Sequence, residues 1–316
     1  MALLAIISAS ILFLIEYIFQ DRSIEEKLLI AIAALVSDIP EGLPAVLAIV
    51  LAIGANRMAK KKAIIREFTA TETLGAVTTI ITDKTGTLTQ NTLTTRRLYI
   101  HGYDDIHISG EGWAPIGNFI IGNNVLETKE HPAICQLLKI SGWSNNSEIK
   151  HDLEKELYQL IGDPTEGSLL ALARKGGFFP SKDDSIIKLD DLPFNSDIKM
   201  RVTLCSDNGK KQLYIVGAPE QVLEKSVRIL SKNSELVLND SHKKEIKHKI
   251  ENWSGEAMRV IALAYKNQDN TNNHILVSEI DDLIFAGVVG MIDPPRPEVK
   301  NAVTQCKQAG IRVIMA

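Results

Sequence analysis

Cysteine is scarce and scattered: Cys135, Cys205 and Cys306 are the only three in 316 residues, and no two form a CxxC pair. That spacing excludes a disulfide framework and a cysteine-based zinc site, and it suits a reducing compartment. An excess of either charge is also missing. The formal net charge is −4, which gives no footing for nucleic acid as a partner. The basic run HKKEIKHK at 242–249, with Ile246 and Ile250 at helical spacing, reads as the solvated face of a helix. The N-terminus lacks the basic segment and small-residue cleavage site of a signal peptide.

What the N-terminus does hold is the apolar excess of a chain that is otherwise ordinary, at 45% hydrophobic residues. Stretches 2–19 and 28–55 are apolar enough to cross a bilayer, and Glu16 is the one acid in the first. They predict a helical hairpin. Arg57, Lys60, Lys61, Lys62 and Arg66 follow the second stretch, while the link QDRSIEEK is slightly acidic. The positive-inside rule then puts both ends of the hairpin, and everything after Arg57, in the cytoplasm.

The second stretch is interrupted by VSDIPEGLPAVLA. Pro40 and Pro44 each remove a backbone donor and clash with the preceding turn, so the helix should open there and leave carbonyls unpaired. Asp38 and Glu41 lie nearly one turn apart beside them. Broken helices and acids together are the pattern of an ion route. The plainer alternative is a kinked helix whose acids pair with a basic residue on a neighbour.

A different chemistry is suggested by AVTTIITDKTGTLTQN at 76–91. Residues 77–81 read as a buried strand that delivers Asp83 at its carboxyl end, where parallel α/β sheets place their chemistry. A carboxylate there can attack a phosphoryl group, with Lys84 and the turn's amides offsetting the charge on the transferred oxygens. Gly86 allows close approach of the backbone to a ligand. Thr85 stands where an Asp could speed hydrolysis of the intermediate, so the phosphoenzyme should persist. A second apolar strand, 284–292, ends at Asp293 and is followed by PPRP. A helix should come next, with Pro297 in its first turn, Val299, Ala302, Val303 and Cys306 as an apolar stripe, and Gly310 at its end. Residues 311–315 then begin another strand, and strand, helix, strand predicts a right-handed βαβ unit.

The string DKTGTLTQN resembles the phosphorylation signature of P-type cation-transporting ATPases. IPEGLPA, RMAKKKAI and TETLGAV upstream of it, and GDPTEGSLL, GAPE and DPPRPEV downstream, occur in that family's order and cover nearly the whole chain. The likeness is greatest to the type II pumps, and PEGLPA leans toward the calcium-pump group.

The resemblance implies an α/β protein made of a membrane helical hairpin and an incomplete haloacid dehalogenase-like parallel sheet domain with an inserted α+β nucleotide-binding domain. Residues 1–58 would be the transmembrane pair, 59–93 and 286–316 the two parts of the phosphorylation domain, and 94–285 the insert. ATP and Mg²⁺ are the implied cofactors. Asp83, Lys84 and Thr85 would be catalytic, with Asp83 and Thr85 also holding Mg²⁺. Thr165, Glu166, Phe194, Lys199, Gly217, Arg259 and Asp293 would bind the nucleotide, Glu166 beside the adenine and Phe194 stacked on it. Arg259 would meet the phosphates. Val36, Ser37, Ile39 and Glu41 would hold the transported cation through oxygen ligands, with membrane lipid around them. Asp38 adds a charge that leaves the identity of the ion open.

One departure concerns Val216. The family commonly has a lysine before Gly-Ala-Pro-Glu, and this chain has Val216, so ATP should bind more weakly here. The family's actuator loop, Thr-Gly-Asp turn and magnesium loop are also not among these residues, which implies a pump truncated at both ends, or one piece completed by a companion chain. Two other readings remain. One is a non-catalytic, membrane-anchored ATP-binding fragment that associates with an intact pump. The other is a phosphatase of the haloacid dehalogenase type, which Thr85 and the hairpin oppose.

Overall fold

Pro44 starts a helix instead of bending one. In the computed structural model it occupies the first turn of a helix that opens after Gly42, a place where the missing N–H costs nothing. The structure describes residues 2–37, 42–67, 69–152, 156–268 and 273–316. They divide into two units, residues 1–81 with 304–314 and residues 82–303 with 315–316.

The first unit holds α1 (Ala2–Phe19), α2 (Ile24–Ser37), α3 (Leu43–Lys60) and α4 (Ala70–Gly75). Glu25 and Glu26 in the first turn of α2 suit its dipole, and Ser23 Oγ accepts from the Glu26 N–H at 3.3 Å. α1 packs beside α2, and Arg22 lies 3.6 Å from Glu16 at their junction. The expected span 28–55 is therefore two helices, one beginning earlier at Ile24 and one ending later at Lys60. Among the described residues α3 is the one helix long and apolar enough to cross a membrane, and none of its side chains is buried. Val36 and Ser37 close α2. The other expected ion-site residues, Ile39 and Glu41, lie outside the described residues, as do Asp38 and Pro40.

β1 (Thr79–Thr82) pairs with β15 (Arg312–Met315) in a two-stranded sheet. The Arg312 N–H donates to the Thr78 carbonyl and that of Ala316 to Thr82, so the offset is constant and the strands run parallel. The expected burial of this strand does not occur: with a single neighbouring strand, Ile81 is 71% exposed.

The expected βαβ unit is also corrected. The strand before the DPPRP segment, β14 (Leu283–Ile292), belongs whole to a separate eleven-stranded sheet, and the helix that follows, α9 (Val299–Gln308), leads into β15 of the small one. The reason is that both edges of β14 are taken. β13 (Arg259–Gln268) runs antiparallel along one edge, and the other is shared by antiparallel β2 (Thr94–Tyr99) and parallel β11 (Ser226–Leu230). The large sheet thus extends to Ile292, past residue 285, where the expected insert was to end.

The remaining strands of the large sheet are β3 (Ile106–Ile108), β4 (Phe119–Ile121), β5 (Asn124–Leu126), β8 (Ile186–Asn195), β9 (Met200–Asp207), β10 (Lys210–Gly217) and β12 (Glu235–Val237). Its order is β5-β4-β3-β2-β14-β13-β10-β9-β8, with β12 beyond β11. A hairpin of β6 (Glu148–Asp152) and β7 (Leu157–Ile161) stands apart. Period-2 alternation splits the apolar side chains between two cores. On one face Tyr214, Val216 and Leu263 meet α5 (Pro132–Trp143) and α6 (Pro164–Lys175). On the other Ile215, Val202 and Phe285 meet α7 (Pro219–Glu224) and α8 (Asp240–Gly255). The basic run in α8 behaves as its spacing predicts, with Ile246, Ile250 and Trp253 buried.

All three tryptophans, Trp113, Trp143 and Trp253, are buried in this unit, so their fluorescence reports its folding alone. Phe285 is 0% exposed on the central strand. Phe285→Ala should lower the denaturation midpoint followed by tryptophan emission by an amount equivalent to about 3–5 kcal/mol. A loss under about 1 kcal/mol would contradict a central place for β14.

Candidate functional site

The site begins with a helix cap. In Asp163-Pro164-Thr165-Glu166, Asp163 accepts hydrogen bonds from the Thr165 N–H at 2.7 Å and the Glu166 N–H at 3.1 Å, and Pro164 fills the first turn. This turns the start of α6 toward a cavity of about 600 Å³. Thr165, Glu166, Phe194, Arg201, Val216, Gly217 and Arg259 line it.

Each of these side chains has a local reason for its position. Strict alternation would place Phe194 on the same sheet face as Leu192, which packs in the opposite core. The pairing of β8 with β9 slips between Leu192 and Asn195, and that bulge re-aims Phe194 into the cavity, 63% exposed. Arg259 opens β13 and its Nη1 donates to Thr165 Oγ1 at 2.8 Å, so the cation leans on the helix start. Gly217 is required by close approach: a Cβ there would lie 2.7 Å from the Lys199 carbonyl, the same oxygen that accepts the Ala218 N–H at 3.0 Å.

Two expected nucleotide contacts lie elsewhere. Lys199 is exposed and is not among the residues that line the cavity; its backbone is left-handed (φ 52°) and its carbonyl accepts the Ala218 N–H. Asp293 does not line it either. Its Oδ2 accepts from Thr89 Oγ1 at 2.6 Å and its Oδ1 from the Thr92 N–H at 3.1 Å.

Asp293 thereby joins a second cluster, around the expected nucleophile. Asp83, Lys84 and Thr85 are exposed in the turn after β1. Gly86 takes φ 74°, which is why glycine is needed there; a Cβ would meet nothing closer than 3.7 Å, so crowding plays no part. The loop is stitched to the segment after β14. Arg296 Nη2 donates to the Gly86 carbonyl at 3.0 Å, the Arg296 N–H to Leu88 at 2.9 Å, and the Gln90 N–H to Pro294 at 3.0 Å. The prolines after Asp293 thus run beside the exit of the loop, with Thr89 opposite Pro295.

A third feature, unread in the sequence, is an ion cluster on the cavity wall. Arg201 is 4% exposed and reaches both Glu166 and Asp191. Arg201 and Val216 are directly opposite on β9 and β10, so they share a sheet face. Burial opposes ionisation of Asp191, but hydrogen bonds from Arg201 and Thr203 and the charge of Arg201 outweigh it and hold its carboxyl below the usual range. The cap at Asp163 was legible in the order D-P-T-E; Asp191 and Arg201 carry no comparable local signal, since only strand pairing brings them together.

A carboxyl held below its unfolded value stabilises the fold above about pH 4 and loses that contribution as pH falls through the lowered value. The tryptophan-reported stability should therefore drop below about pH 4, and Asp191→Asn should flatten part of that fall. An identical acid profile in the variant would show that Asp191 does not contribute.

Comparison with known proteins gives this geometry a family. Residues 133–298 match the family model described as P-type ATPase, cytoplasmic domain N. The chain is 36% identical over 302 residues to a calcium-transporting ATPase of Bacillus subtilis, covering 94% of this chain and 33% of that protein. A cation-transporting ATPase of Synechocystis is 40% identical over 292 residues, covering 90% and 32%. An endoplasmic reticulum-type calcium-transporting ATPase of Arabidopsis thaliana is 34% identical over 319 residues, again covering 90% and 32%. The chain thus spans about a third of the length of the curated relatives it matches. With a matched domain that carries the cavity and relatives that align along nearly all of its residues, the chain belongs to the P-type ATPases.

Proposed function

We propose that this chain is the catalytic part of an ATP-driven cation pump, in which ATP occupies the cavity of the large sheet and Asp83 takes its γ-phosphoryl group. The observation that carries this reading is the stitched loop: Asp83 stands exposed in a turn whose hydrogen bonds run to Asp293, Pro294 and Arg296, the segment that ends the cavity's own sheet. A joint of this kind suits a hinge that lets bound nucleotide meet the carboxylate.

The cavity has the size of a ligand pocket, and its contents suit a nucleotide. Phe194 offers an aromatic face to the purine, Glu166 an acceptor, and Arg259 a permanently charged fork for phosphate. In the transfer, an Asp83 oxygen forms a bond to the γ-phosphorus as the bond to the β–γ bridging oxygen breaks, and ADP leaves with the electron pair. Lys84 offsets charge on the transferred oxygens. When bound, Mg²⁺ neutralises the phosphates. The donor set suits an ion carried in with the nucleotide: Asp83 and the Thr85 carbonyl supply oxygens. Among the described residues, no group of three or more His, Cys, Asp or Glu could cage a metal unaided.

Residues 1–58 are proposed as the transmembrane part, in contact with lipid, with Val36, Ser37, Ile39 and Glu41 as ligands of the transported ion. Calcium is favoured because two of the relatives above are named calcium-transporting. Residues 94–292 are proposed as the nucleotide-binding domain, set within a haloacid dehalogenase-like phosphorylation domain formed from 59–93 and 293–316. In this reading the membrane topology is multi-pass and segments supplied by the rest of the pump complete the activity. A second reading, nucleotide binding without transfer, draws on Val216, which puts an apolar side chain in the cavity wall where a cation would favour phosphate.

Membrane-embedded chain incubated with labelled ATP and Mg²⁺ should acquire hydroxylamine-sensitive label, and Asp83→Asn should acquire none. Label that survives in Asp83→Asn would overturn the assignment, whereas saturable binding with no label in the parent chain would favour the second reading. Val216→Lys should tighten ATP binding about tenfold or more, because a charge-assisted hydrogen bond is worth roughly 1.5–3 kcal/mol. Unchanged affinity in a titration would mean that phosphate does not pass near this position.

A further inference from the structure

We propose that Arg201 is the positioning residue that makes Glu166 a reader of the purine's 6-substituent, with Asp191 as the anchor behind both. The inference rests on the reading above, in which ATP occupies this cavity.

Glu166 lines the cavity, yet neither of its oxygens is free to turn. Arg201 Nη1 donates to Oε1, while Oε2 accepts from the Asn146 N–H at 2.8 Å and from Ser147 Oγ at 3.4 Å. A carboxylate has about four acceptor sites, so three donors leave one. Both principal holders rest in turn on Asp191. Arg201 Nη2 donates to its Oδ2 at 2.5 Å, and the Asn146 side chain donates to the same oxygen at 3.0 Å. Thr203 Oγ1, paired across β8 and β9, donates to Oδ1 at 2.9 Å, and Lys188 Nζ lies 3.5 Å from that oxygen. Two carboxylates and two cations therefore face one another on this wall.

An ionised carboxylate only accepts hydrogen bonds. Its remaining site suits the 6-amino group of adenine and repels the 6-carbonyl of hypoxanthine. A desolvated ion cluster is weak evidence for stability, since the cost of removing charges from water can exceed their attraction. What this one does supply is direction: a carboxylate clamped at both oxygens meets its ligand without reorganising.

The test compares ATP with ITP, using the full chain in detergent and competition against a fluorescent ATP analogue, with tryptophan emission as the check on folding. The parent chain should bind ATP at least about tenfold more tightly than ITP, the effect of one charge-assisted hydrogen bond. In Arg201→Met the ratio should fall to within about threefold of unity, and Arg201→Lys should restore part of it, since an ammonium keeps the charge without the fork. A purely structural role would weaken both nucleotides together and leave the ratio unchanged.

An unchanged ratio in folded Arg201→Met overturns the inference and leaves the proposed function intact. Equal affinities in the parent chain overturn it as well. If the parent chain binds no ATP, the reading of the cavity fails and takes the inference with it. Should Arg201→Met not fold, the near-isosteric Asp191→Asn decides: a reduced ATP-to-ITP ratio supports the anchor, and a ratio equal to that of the parent chain rejects it.

Discussion

The carboxylate of Asp293 is the contact on which the arrangement of this chain turns. One oxygen receives the Thr89 hydroxyl and the other the Thr92 amide, so the end of the central strand and the exit of the Asp83 loop are tied at one residue. The tie matters because the stretches on either side belong to different sheets. β1 pairs with β15, whereas β2 and β14 lie side by side in the large sheet. Wherever the chain leaves one sheet for the other, it does so as two adjacent segments, 89–93 and 293–297, one of them stiffened by three prolines.

The cavity obeys a related economy. Its aromatic residue comes from a bulge, its carboxylate from a helix start and its cations from strand ends, so no single element could have supplied the set. Bulges and helix termini are where regular hydrogen bonding is incomplete, and side chains can be aimed there without breaking a ladder. The ion cluster behind Glu166 belongs to this logic. It occupies the cavity end of strands on which Tyr214 and Cys205, farther along the same face, are buried in the core.

Local patterns in the sequence carried a good deal. The helix start at Pro44, the solvated face of α8 and the strand leading to Asp293 could all be read from spacing, because each depends on contacts within a turn or two; the helix after that strand was also legible, though it begins at Val299 and leaves Pro297 outside its first turn. Where the reading missed, a distant partner was responsible. The strand 77–81 looked buried because it is β-branched and apolar, yet its exposure depends on how many neighbours it has. The βαβ unit looked natural from its order, yet β14 had already filled both edges with other strands.

By itself, the order of residues determined the chemistry on offer: a carboxylate after a β-branched run, a capped helix start bearing Thr165 and Glu166, an apolar residue at position 216, and a proline-rich segment after Asp293. Such features need only neighbouring atoms, so they survive in one dimension. Tertiary structure alone decided which of them meet. Arg201 sits across from Val216 and between Glu166 and Asp191, and Asp293 sits on Thr89, because strand register sets those distances. Register is a property of two strands at once, and no single stretch of sequence contains it.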